Sequence, residues 1–353
     1  MHPFLSGSLL VAVLVPGLHA QVTYPAYYGN SEGVSIGSVP FTNIGRYQQV
    51  CPDLRGQPMT IHSISFRRDA TRVDDLNEVA RTVVVDVFMS ETTVTPLGST
   101  FAANYSSPPV QVASNLTVQL PDLTLQPRQS PAPFNVTIPL SQAFNYSGVF
   151  DLIFEIVVRS NSQATRAYAL DAATGSNLLC YGPYTMNGTG CQSNGREVTL
   201  RSRIQDNNLP GGWNTSFSWD VKNAPASQGG LLMVGFQNPN LLVPGLCSPT
   251  ATLYVLPLIT MSGATDTAGA WAPFLPALPL FDPSLVGAPI ESQAVVIDPT
   301  QSAGIPAVAT NGVTSFIIAP PPAMNLARLY NNTDPNATTG TLNPSLANIV
   351  QFN

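Results

Sequence analysis

Gly33-Val34-Ser35-Ile36-Gly37 matches the G-x-S-x-G pattern of a nucleophile elbow, where a serine sits on a sharp turn between a strand and a helix. A triad on that serine needs an acid and then a histidine further along, an order that Asp53 and His62 satisfy. Pro40 follows too closely for a helix to run on from the serine, so the pattern reads as a turn entering a strand. His62 alternates with Ile64 and Phe66, the spacing of a histidine partly packed on a sheet. The remaining histidines are His2 and His19, both in the apolar leader. A three-histidine zinc site is therefore out of reach within one mature chain.

Carboxylates are sparse. Asp69, Asp74, Asp75 and Glu78 lie in one loop that offers oxygens to calcium, although solvated turn charges account for them more simply. Asp266, Asp282, Glu291 and Asp298 are scattered, and a glycosidase would need two carboxylates about 5 to 9.5 Å apart across a cleft. Trp213, Thr215, Phe217 and Trp219 share one strand parity, with polar residues on the other, which reads as a buried face. Trp271, in a Pro-rich loop, is the better candidate for an exposed ligand contact. No basic cluster exists: Lys222 is the only lysine and the net charge is −6, which excludes nucleic acid as a partner.

The elements that would position these residues are strands. Charged residues make up only 10% of the chain, against an ordinary share of about 25%, while the hydrophobic share is 44% and 33 residues are Pro. Alternation recurs at 60–67, 82–89, 116–120, 134–140 and 152–158, and Val83, Val85, Val87 and Met89 form one apolar face. The fold class expected is all-β, two tandem antiparallel β-sandwich domains of jelly-roll or immunoglobulin-like type. Residues 1–20 read as a signal peptide cleaved before Gln21, although its first segment lacks Lys or Arg. No later apolar run approaches the roughly 18 residues of a membrane-spanning helix. Residues 21–185 form the first expected sandwich and 186–319 the second, with turn residues crowding 181–195 between them. Residues 320–353 read as a Pro-led tail closing into a hairpin of 325–330 against 347–352.

Four cysteines in an exported chain point to disulfides. One bridge per domain, Cys51 with Cys180 and Cys191 with Cys247, is the simplest of three connectivities, each contributing about 4 kcal/mol by chain entropy. Sequons begin at Asn104, Asn115, Asn135, Asn145, Asn187, Asn214, Asn331 and Asn336, and strand parity turns Asn115, Asn135 and Asn214 to solvent.

The segments Ser31-Glu32-Gly33, Gly45-Arg46-Tyr47-Gln48-Gln49-Val50 and Ser65-Phe66-Arg67-Arg68-Asp69 resemble the opening of a large paralogous family of secreted planctomycete proteins. Gly188-Thr189-Gly190-Cys191, the run Gly229 to Phe236, Pro244-Gly245-Leu246-Cys247 and the run Ser292 to Pro299 extend the likeness over most of the mature chain. The resemblance implies a β-sandwich followed by a second β-module, with no assigned activity. Cys51 stands where such relatives carry an aromatic or other residue, which makes the first bridge the less secure of the two. The expected function is an exported, non-enzymatic protein, secreted or at the cell surface, that binds glycans or other surface proteins or serves architecture, with no cofactor beyond the calcium considered above. The rivals are an extracellular polysaccharide hydrolase and a carbohydrate-binding module.

Overall fold

Alternating apolar residues between Pro- and Gly-rich turns produce an all-β molecule in the computed structural model, which describes residues 21–72, 78–125, 127–175, 179–209, 212–247, 250–278, 283–301 and 304–353. The leader, 1–20, lies outside them. Among the described residues every strand pairing is antiparallel, and the helical segments are short 3-10 turns, none long or apolar enough to cross a membrane.

Two hydrophobic cores divide the chain. The first lies under a six-stranded sheet ordered Thr341–Asn343, Ala327–Asn331, Gly45–Cys51, Asp151–Asn161, Arg81–Thr92, Val110–Leu120. Facing it are a four-stranded sheet, Val22–Tyr24, Val350–Phe352, Met59–Phe66, Val136–Tyr146, and a three-stranded one, Ser35–Gly37, Leu170–Thr174, Leu346–Asn348. Val83, Val85, Val87 and Met89 are all fully buried here, as their alternation requires. The second core lies between a four-stranded sheet, Leu179–Tyr181, Thr199–Leu209, Gly212–Lys222, Phe274–Leu278, and a larger one centred on Gly229–Gly235, Pro289–Ile297 and Gly312–Phe316.

The tail departs from the expected hairpin. Ala327–Asn331 pairs with Gly45–Cys51 on one side and Thr341–Asn343 on the other, while Val350–Phe352 sits between Val22–Tyr24 and Met59–Phe66. The reason is burial: Ile349, Val350 and Phe352 complete the first core, Leu329 is buried in a smaller cluster on the other face of the six-stranded sheet, and a free hairpin would leave them wet. The second body is thus set between the two parts of the first. The halves also interlock before residue 186, because Leu179–Tyr181 and Tyr184–Asn187 already belong to the sheets of the second body, and Gln129–Ser130 from the first half pairs with Tyr184–Asn187.

The cysteines are corrected in part. Cys191 and Cys247 are bridged, with Cα atoms 5.8 Å apart. Cys51 and Cys180 are not bridged to each other and are buried in different sheets: Cys51 lies opposite Leu152 in the six-stranded sheet and Cys180 opposite Asp206 in the four-stranded one. Burial pushes the Cys51 thiol well above its usual range.

Candidate functional site

The densest gathering of ionisable groups lies at the junction of the two halves. Phe66-Arg67-Arg68-Asp69 ends a strand whose Phe66 is in the first core, so the next side chains enter the space between the bodies. Arg67, whose side chain is only 1% exposed, sends Nε to Asp171 Oδ2 at 2.7 Å and lies 5.0 Å over the Phe134 ring. Asp171 Oδ1 accepts from the Gly33 amide at 3.0 Å. Gly33 has to be glycine there, since a Cβ would fall 2.0 Å from the Ala172 carbonyl oxygen. Glu32 accepts from the Ala70 amide at 2.6 Å and the Ser130 hydroxyl at 3.1 Å, while its backbone exchanges both hydrogen bonds with Tyr181. From the second body, Arg201 Nη1 reaches the Ala70 and Arg72 carbonyls.

Burial pushes the Glu32 carboxyl well above the usual carboxylate range, and Asp171 adds to the push. Burial likewise drives Asp171 up to about 7, against the opposing pull of Arg67. The carboxyl groups are sealed, and their oxygens are taken by backbone amides, a hydroxyl and one guanidinium. Such an arrangement clamps segments together. A cleft of about 460 Å³ opens beside it, between Asn30, Ser130, Phe134, Tyr184, Thr185 and Phe316.

The second body presents a different surface. From Lys222 to Arg328 the only charged residues between the two are Asp266, Asp282, Glu291 and Asp298. Leu241, Leu242, Phe236, Leu256, Leu258 and Phe274 are each more than half exposed there. Scattered exposed apolar side chains are normal on any protein, and here they fall in a stretch of sequence poor in charge.

The structure disperses the residues singled out for chemistry. Ser35 lies in a short strand opposite Ala172, not on an elbow. His62 is exposed, because a register shift between Ile61 and Ser63 turns it off the face that Ile64 and Phe66 bury. Asp69 accepts from the Thr71 amide and hydroxyl, and Glu78 from the Ala169 amide, so both turn inward. Asp74 and Asp75 of the same loop lie outside the described residues, as do the Trp213, Asn214 and Asp282 side chains. Among the described residues no three His, Cys, Asp or Glu gather in metal-binding geometry.

Thr215, Phe217, Trp219 and Val221 are buried, as their shared parity indicates. Trp271 is half-buried: its backbone pairs with Val221, and its ring rests against Gly230 and Gly263, where a Cβ would come within 3.1 and 2.5 Å of it. Asn115 and Asn135 are exposed, whereas Asn104 is fully buried and donates to Gln48 at 2.8 Å, which closes that sequon.

Chemistry-seeking motifs did not point to the junction cluster. The available signal was a charged residue inside an apolar strand, Asp171 between Leu170 and Ala172-Ala173, which requires a buried partner. A scan against family models finds no match to the chain, and a search of curated proteins finds none either.

Proposed function

We propose that the chain is an exported, non-enzymatic binding protein in which the first body is a rigid scaffold and the second carries the contact surface for an uncharged partner. The observation that carries this reading is the exposed apolar band of the second body, free of charge from residue 223 to 265. The inward engagement of Glu32, Asp69 and Asp171 supports it, since these carboxyl groups hold segments together. The leader and the paired Cys191 and Cys247 support export.

The test uses the mature chain, 21–353, on a phenyl-substituted matrix and on a glycan array. Retention on the matrix that persists in high salt and falls in the triple variant Leu241→Ser, Leu242→Ser, Leu256→Ser is the expected result. Retention unchanged in that variant would overturn the reading. Saturable glycan binding abolished by Trp271→Ala would replace it with the carbohydrate-binding alternative.

A further inference from the structure

An open sheet edge is a template for another strand, and among the described residues this fold interrupts its long edges except one. Val110–Leu120, at the edge of the six-stranded sheet, pairs with two register shifts and carries Asn115 at a φ of 47°. Val136–Tyr146, at the edge of the facing four-stranded sheet, pairs across a register shift and contains Pro139. Phe274–Leu278 is likewise shifted, and Pro276 has no N–H to offer. Ile259–Ala264 is different. It ends the larger sheet of the second body, pairs with Gly229–Gly235 in unbroken register, and contains neither proline nor charge. All of its residues except Met261 are exposed. The Thr265 amide donates to the Gln228 carbonyl oxygen, and alternation then turns the N–H and C=O of Thr260, Ser262 and Ala264 away from the sheet.

We propose that this edge pairs with the same edge of a second copy of the chain, antiparallel about a twofold axis at Ser262, so that the larger sheets of the two copies join into one. In that register Ser262 faces Ser262, and Thr260 faces Ala264 of the second copy, which gives about six backbone hydrogen bonds between copies. The side chains that meet are small, so the backbones can approach. Charge selects the occupant. Each copy has a net charge of −6 and repels the other, and the longest run without charge in the sequence, 223–265, holds this edge. Asp266, the nearest carboxylate along the chain, falls opposite Leu258 of the second copy. The two Asp266 residues are then about 27 Å apart, at about 3.4 Å per residue, well beyond the screening length of about 8 Å. Leu258 and Ile259, 69% and 45% exposed, enter the contact at its two ends. The pairing uses none of Leu241, Leu242 and Leu256, so it goes beyond the binding role proposed for the second body and does not depend on it.

Sedimentation equilibrium of the mature chain, 21–353, is expected to show a monomer at about 1 μM and a dimer at about 100 μM, the span of a micromolar Kd. Ser262→Lys and Ser262→Glu each set like charges face to face on the axis, and each should weaken the dimer about tenfold or more. An equimolar mixture of the two variants should recover the parent's association, because opposite charges then meet across the axis. Ser262→Pro loses an N–H that points away from the sheet, so it should remain monomeric while keeping a cooperative thermal transition, and it serves should a charged variant misfold. A parent chain that is monomeric at about 100 μM, a dimer unchanged in the charged variants, or a mixture that stays monomeric overturns the proposal. The Leu241, Leu242 and Leu256 variant should dimerise like the parent, so its effect on matrix retention is read separately from this outcome.

Discussion

The two bodies of this molecule solve the same problem with opposite materials. The first specifies its packing with buried charge: Glu32, Arg67, Asp69, Glu78, Glu155 and Asp171 are all nearly or fully inaccessible and hydrogen-bonded, Glu155 to the Arg46, Gln48 and Tyr105 side chains and the others to one another, to backbone or to a hydroxyl. The outer face of its six-stranded sheet is covered as well, where Phe101 packs on Val50, Ile153 and Leu329 and Asn104 ties Gly98 to Gln48. The second body is sparing of charge beyond Lys222, where only Asp266, Asp282, Glu291 and Asp298 precede Arg328, and a covalent bridge across a sequence separation of 56 residues ties it. Its edge strands, Ile259–Ala264 and Phe274–Leu278, pair on one side only among the described residues and carry none of the charged side chains that usually blunt such edges. Satisfied polar networks give a single rigid arrangement, whereas an apolar, uncharged edge leaves a surface that others can join.

The comparison breaks most completely if the tail is removed. A chain ending at Pro320 lacks four strands of the first body, including the buried Leu329, Ile349, Val350 and Phe352. We expect it to lose cooperative unfolding altogether, as followed by circular dichroism during heating. An appended hairpin would have predicted a nearly unchanged midpoint, so a surviving transition would refute the closure.

Arg67→Ala attacks the charge network directly. It leaves Asp171 buried without its guanidinium, and breaking one side of such a pair costs about 3 to 5 kcal/mol. Arg128→Ala is the contrast: Arg128 lies 3.4 Å from Glu197 with the two side chains 47% and 24% exposed, and exposed pairs contribute about 0 to 1 kcal/mol. Urea denaturation of both variants measures the difference, and similar losses would mean the buried network is not what specifies the first body.

The bridge is the corresponding target in the second body. Replacing Cys191 and Cys247 by Ser removes a constraint on the unfolded chain and should destabilise by about 2 to 4 kcal/mol. Cys51→Ser and Cys180→Ser remove no such constraint. Mass mapping after alkylation under denaturing conditions should find Cys51 and Cys180 modified and the other two linked. A Cys51 to Cys180 linkage would erase the asymmetry between the bodies.

How much of this was legible beforehand depends on the range of the interactions. The buried parity of Val83 to Met89 and of Thr215 to Val221 is local alternation, and it survives intact in the fold. The closure by Ala327–Asn331 against Gly45–Cys51 joins segments nearly the whole chain apart, and alternation carries no information about such partners. His62 shows a subtler failure: one register shift inverts the parity that its neighbours imply. The junction cluster needs Glu32, Arg67 and Asp171 together, and although two of the three sat in motifs already singled out, their convergence is a property of topology.

The last expected effect concerns protons in that cluster. Burial holds Asp171 up at about 7 in the folded chain, against an ordinary 3.8, and burial moves Glu32 and Asp69 in the same direction. Between those two values the folded protein keeps a proton that the unfolded chain has released. The stabilisation is therefore fully present below about pH 4 and is lost as pH rises toward about 7, so stability should fall across that window. Carboxylates held low by hydrogen bonds, such as Asp122 beside Thr124 and Asp266 beside the Ala270 and Ala268 amides, act in the opposite sense but only below the ordinary carboxylate range. Urea midpoints at pH 5 and pH 7.5 should thus favour the more acidic solution, contrary to the usual acid lability of folded proteins. Asp171→Asn cannot titrate and should flatten the difference, whereas a parent chain more stable at pH 7.5 would show that Arg67 keeps the carboxylate ionised throughout.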